Sequence, residues 1–126
     1  MSFDIYLMAF EGGESTTADP ELTRPILAPL VVEQSDGFAL LRTAEGELDC
    51  YGWPDCEGFM FNHVSGAASF DLLVEIAHAG RLAIMPVGCG TLVTDPALLA
   101  DLPDGIPEPI QVITSGAELV NVIETA

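Results

Sequence analysis

Phe3, Ile5, Leu7 and Ala9 alternate with Asp4, Tyr6, Met8 and Phe10. A period of two marks a strand, and the apolar content of the second set predicts a central strand whose other face is mostly buried too. Residues 11–18 are rich in Gly, Ser and Thr and read as a loop. Asp19-Pro20 or Thr23 then caps a short helix over residues 20–30, which Pro25 and Pro29 keep brief or irregular. Three short β-like runs follow, Phe38 to Arg42, Glu47 to Tyr51 and Gly58 to Val64, punctuated by Glu45-Gly46 and Trp53-Pro54-Asp55. Their spacing predicts an antiparallel meander.

Helical spacing sets in after Ser65, a capping residue, and runs to Ala79. Leu72, Leu73, Ile76 and Ala77 form one face, Asp71, Glu75 and His78 the other, and Gly80 ends the helix. Leu82 to Met85 form a buried strand before the Gly88-Cys89-Gly90 turn. Asp95-Pro96 pairs an N-cap with a proline suited to the first helical position, opening a short helix to Leu102. After the Pro/Gly-rich loop of residues 103–109 come a strand, Ile110 to Ile113, and a last helix opened by the capping box Ser115 to Glu118. The element order is β-α-β-β-β-α-β-α-β-α. It predicts a single α+β domain spanning residues 1–126, a mixed and mainly antiparallel sheet with helices packed on it.

Charge changes this picture more than composition does. The chain has 126 residues, 49% of them hydrophobic, so it holds enough apolar material for a core. It carries 20 acidic side chains against three arginines and no lysine, a formal charge of −17. A Lys/Arg patch able to neutralise phosphates is out of reach, which disfavours nucleic acid and anionic membrane as partners, and no P-loop is present. The acids are not thereby a site. Spread over roughly 6,400 Å² of surface, the net charge averages about one negative per 380 Å², so a standard interface of about 800 Å² per partner holds about two by chance. The absence of lysine also fits the coding bias of a GC-rich genome.

The amino-terminal segment has Asp4 and no basic region, so it reads as a strand and not as a signal peptide. Three cysteines without an export signal predict reduced thiols and a cytoplasmic protein. Cys50, Cys56, His63 and Cys89 are of the right types for zinc, but Cys50 and Cys56 lie too far apart in sequence for a usual knuckle. Cys89 between glycines, with His63 or His78 as base, is a candidate nucleophile; turn punctuation explains the same glycines. Asp95, Asp101, Asp104 and Glu108 lie in loops without the pattern of a calcium-binding loop, and capping accounts for such acids. No cofactor motif occurs.

The segment from Glu47 to Glu57 sets Tyr51 and the only tryptophan, Trp53, among Asp49, Asp55 and Glu57 at an expected hairpin tip. Tyrosine and tryptophan are enriched in binding hot spots, and flanking acids complement a basic partner. The competing expectation is a Trp53 folded back to complete the core.

The opening Met1-Ser-Phe-Asp-Ile-Tyr-Leu, the helix ending at Ala79-Gly80 with its following strand, and the closing Ser115-Gly-Ala-Glu-Leu119 resemble a group of small standalone bacterial proteins of uncharacterised function. In composition the chain also resembles the immunity proteins encoded beside bacterial toxins. That second resemblance implies an inhibitor that occludes a basic toxin or other basic protein; the contact residues expected for it, Asp49, Tyr51, Trp53, Asp55 and Glu57, come from the aromatic and acidic segment just described. The other readings are a small enzyme or ligand-binding domain with a pocket near Cys89 and His63, and an oligomeric subunit, for which apolar edge strands make a homodimer credible.

Overall fold

The computed structural model describes residues 3–126. Its nine strands are β1 (Ile5–Glu11), β2 (Glu14–Thr16), β3 (Val31–Ser35), β4 (Phe38–Thr43), β5 (Gly46–Tyr51), β6 (Phe59–Asn62), β7 (Ala83–Pro86), β8 (Thr91–Val93) and β9 (Ile110–Val112). The helices are α1 (Pro20–Leu27), α2 (Ala67–Gly80) and α3 (Gly116–Thr125), with 3-10 turns at Ala28–Leu30 and Pro96–Asp101. The sheet runs β3-β4-β5-β6-β1-β7-β8-β9, with β2 hairpinned onto β1. All pairs are antiparallel except β8 with β9. The predicted α+β class and meander are therefore present.

The chain places β1 between β6 and β7, so α2 must cross over β1 to join its two neighbours. This crossover lays α2 along one face of the sheet, packed against α1 and α3 as well as β4, β5 and β7. The main core lies between these layers. It takes Ile5 and Leu7 from β1, Leu41 from β4, Leu48 and Cys50 from β5, Phe59 and Phe61 from β6, and Leu72, Leu73, Ile76 and Ala77 from α2. A smaller cluster, Ala83, Val93 and Leu98 with Phe10 and Leu102, sits on the opposite face. There the Pro96–Asp101 turn covers one corner, held by Asp101, which accepts the Gly12 N–H at 3.1 Å.

Several local expectations change. Three short strands go beyond the expected pattern: β2, β3 and β8. β2 is exposed at every position, so a tight turn at Gly12-Gly13 creates it, not a hydrophobic face. Helix α2 is capped at Gly66 without a side-chain bond, because the Ser65 hydroxyl instead donates to the Glu47 carbonyl at 3.2 Å. Gly80 stays helical and Arg81 takes the left-handed position (φ 56°). A Cβ on Gly80 would lie 2.7 Å from Thr23 Cγ2, so this glycine serves the close approach of α1 to α2. The largest correction concerns β1: it is central, but its second face is not buried. Tyr6 is exposed, and Met8 and Phe10 are half-buried.

Candidate functional site

Side chains directly opposite each other on paired strands point to the same side of a sheet. On the face away from the helices, the pairings Phe38 with Tyr51, Tyr51 with Met60, Met60 with Tyr6 and Tyr6 with Met85 run on from one another. They form one row crossing β4, β5, β6, β1 and β7. At about 4.8 Å between strands the row is roughly 19 Å long. Phe38 and Tyr51 stack at a tilt, ring centroids 5.3 Å apart. Tyr6 and Tyr51 are each about two-fifths exposed (41% and 40%), and Phe38, Met60 and Met85 are half-buried. An apolar stripe thus crosses the open face.

The next row on the same face is acidic. Glu33 pairs with Leu40, Leu40 with Asp49 and Asp49 with Asn62, whose Nδ2 donates to Asp4 Oδ1 at 3.3 Å. Rows on one face lie about 6.8 Å apart along a strand, so these carboxylates border the stripe. His63, with its backbone in the left-handed region (φ 50°), brings its ring to Asp49, Nδ1 to Oδ2 at 2.8 Å. A carboxylate only accepts, so Nδ1 donates. One row further on, Arg42 and Glu47 neutralise each other at 2.7 Å. The other arginines are engaged too, Arg24 on the Pro54 and Asp55 carbonyls and Arg81 near Asp95 at 3.9 Å.

The five residues singled out from the sequence do not share one surface. Asp49 and Tyr51 stand on the open face, where alternation along β5 put them. Trp53 is 7% exposed and joins the main core, its indole Nε1 donating to Gln34 Oε1 at 2.7 Å. As an exposed anchor it is therefore corrected: it completes the core, the other of the two placements its sequence allowed. Asp55 and Glu57 are exposed on the loop between β5 and β6. That loop is tied down at the helix side by Arg24 of α1 and by the Ala18 N–H, which donates to the Glu57 carbonyl at 2.9 Å. Sequence reasoning missed Tyr6, Phe38, Met60, Met85, Asp4 and Glu33. Their one local signal was the period of two in each strand; that they form rows needed the strand order.

The cysteines lie elsewhere. Cys50, on the core side of β5, has its thiol pushed up to about 12 by burial and, secondarily, by Cys56. Burial also raises Cys56, against the pull of Arg24, and raises Cys89. A protonated thiol is a weak nucleophile and a poor ligand. Among the described residues no three His, Cys, Asp or Glu side chains converge to hold a metal. The cavity beside Cys89, about 280 Å³, is lined by residues of the β7–β8 turn, β9 and α3, and His63 is not among them. His78 instead contacts the Thr94 hydroxyl at 3.1 Å, in a groove of about 430 Å³ between α2 and α3 that also includes Asp71 and Glu75. Of the loop acids, Asp95 caps the 3-10 turn through the Ala97 N–H at 2.9 Å. No helix among the described residues is long and apolar enough to cross a membrane.

No protein-family model, no curated protein and no solved structure matches this chain.

Proposed function

We propose that the protein is a binding protein for a basic protein partner and docks it on the open face of its sheet, as an immunity-type inhibitor occluding the cationic site of a toxin would. The observation that supports this most directly is the register. It lines up Phe38, Tyr51, Met60, Tyr6 and Met85 beside a row bearing Glu33, Asp49 and Asp4. An aromatic and methionine-rich centre with a charged border is the usual anatomy of a protein interface. The acidic excess adds a long-range field that speeds encounter with a cationic partner. In this reading Asp49 and Tyr51 contact the partner directly, while Trp53 supports the sheet from behind.

Mixing with the purified product of a neighbouring gene at micromolar concentration and low salt tests the proposal. The expected result is a complex whose association slows as salt rises and whose affinity falls at least tenfold in the Tyr6→Ala/Tyr51→Ala double variant. Both side chains are exposed, so the variant retains its core. A complex that the double variant forms equally well would refute docking on this face.

A further inference from the structure

The stripe does not fade out at β7. Beyond Met85 it opens into an apolar hollow of about 310 Å³, lined by Tyr6, Met8, Met85, Val87, Gly90 and Pro107 among others. Backbone bonds hold its walls. The Val87 N–H donates to the Asp4 carbonyl at 3.0 Å and the Cys89 N–H to the Pro86 carbonyl at 3.0 Å, fixing the rim. On the far side the fully buried Thr91 donates its hydroxyl to the Pro107 carbonyl at 2.8 Å and its N–H to the Pro109 carbonyl at 3.0 Å. Gly90 lets these strands meet so closely: a Cβ there would lie 2.3 Å from the Pro109 oxygen, and its φ is +83°. A hollow built this way needs no rearrangement to be filled, which lowers the free energy a ligand loses on binding.

We infer that this hollow is an anchor pocket for one aromatic side chain of the basic partner, flanked in that partner by a lysine or arginine that meets Asp4; the inference rests on the docking face proposed above. The volume suits one ring, and the lining of tyrosine, methionine and proline suits its faces and edges. The choice of occupant follows from charge. Asp4 is held at the rim by its own carbonyl, and its carboxylate lies in the acidic row. A second copy of this chain, also carrying −17, would bring like charges together. An anionic lipid surface would be repelled. A cationic protein bearing an aromatic residue satisfies both the hollow and its border.

Three of the four methionines, Met8, Met60 and Met85, lie on this face, so methyl-labelled methionine reports on it directly. The probes are a seven-residue Lys/Arg peptide with a central tryptophan and the same peptide with alanine there. The tryptophan peptide is expected to shift the Met8 and Met85 methyls by ring currents at low salt and to bind at least tenfold tighter than the alanine peptide, which moves Met60 alone. Val87→Asn, at a side chain 56% exposed, is expected to remove that tenfold advantage and leave the alanine peptide unaffected. If both peptides bind alike and move only Met60, the anchor pocket is refuted and the docking face stands. If the tryptophan peptide moves none of the three methyls up to millimolar concentration, both are refuted.

Discussion

Trp53 and Tyr51 are two residues apart, and the molecule treats them oppositely. Tyr51 ends β5 on the open face, whereas the chain turns after it and carries Trp53 into the core, where the Gln34 amide oxygen accepts a hydrogen bond from the indole N–H. Trp53→Phe, which keeps one aromatic ring but loses the hydrogen bond and part of the packed indole, should lower stability by about 1–3 kcal/mol. Trp53→Ala, which leaves a cavity, should lower it by roughly 3–5 kcal/mol. Denaturant titration followed by circular dichroism separates the two, and Tyr51→Ala, which loses only the cross-strand pairing with Phe38 and Met60, should cost less than Trp53→Ala, on the order of 1 kcal/mol. Cys50 offers a test by pH. Its thiol holds its proton up to about 12 in the fold, against an ordinary value of 9.0. Between those values the unfolded chain has released a proton that the folded chain keeps. The contribution is therefore complete below pH 9 and is lost as pH rises, at about 1.4 kcal/mol per pH unit. Urea unfolding at pH 8 and pH 10 should show a steeper fall for the native protein than for Cys50→Ala.

Among the elements, the ends of helices show how local signals and packing divide the work. The capping residue Ser115 was legible in the sequence and acts as expected, accepting the Glu118 N–H at 3.2 Å. Glu118 reaches back one residue further than the usual box, accepting from the N–H and hydroxyl of Thr114, which hold its carboxyl below the usual range. Ser115→Ala should cost about 1 kcal/mol, measurable as a lowered denaturation midpoint. At α2 the same sequence signal, Ser65, was diverted to β5. The start of α2 crosses the start of β5 so closely that a Cβ on Gly46 would lie 1.8 Å from the Ser65 carbonyl oxygen. Gly46→Ala should therefore destabilise by roughly 1–3 kcal/mol or more through overpacking, although in sequence it stands at an ordinary turn. Calorimetry on the two variants tests whether the crossing outweighs the cap.

For the whole molecule the governing quantity is the charge. Its solvent-accessible area is 6411 Å², no charged side chain among the described residues is buried, and the three arginines are each engaged. Most of the carboxylates therefore repel one another across the surface, so raising ionic strength from about 0.01 to about 0.15 M, which shortens the screening length from about 30 to about 8 Å, should raise Tm by several degrees. A thermal scan in sodium chloride checks this, and a Tm that falls with salt would contradict it. The strands around Tyr6, Tyr51 and Met60, the helix carrying Leu72 and Ile76, and the caps at Asp95 and Ser115 could be read from residues alone, because periodicity and capping act over a few neighbours. So could the side of β5 shared by Asp49 and Tyr51. The insertion of β1 between β6 and β7, the burial of Trp53 in the main core and the openness of one sheet face could not. Each depends on contacts between segments tens of residues apart, and the helices, once α2 had crossed over β1, were committed to a single side. Only that arrangement turns five separate side chains, from Phe38 to Met85, into one stripe with an acidic border.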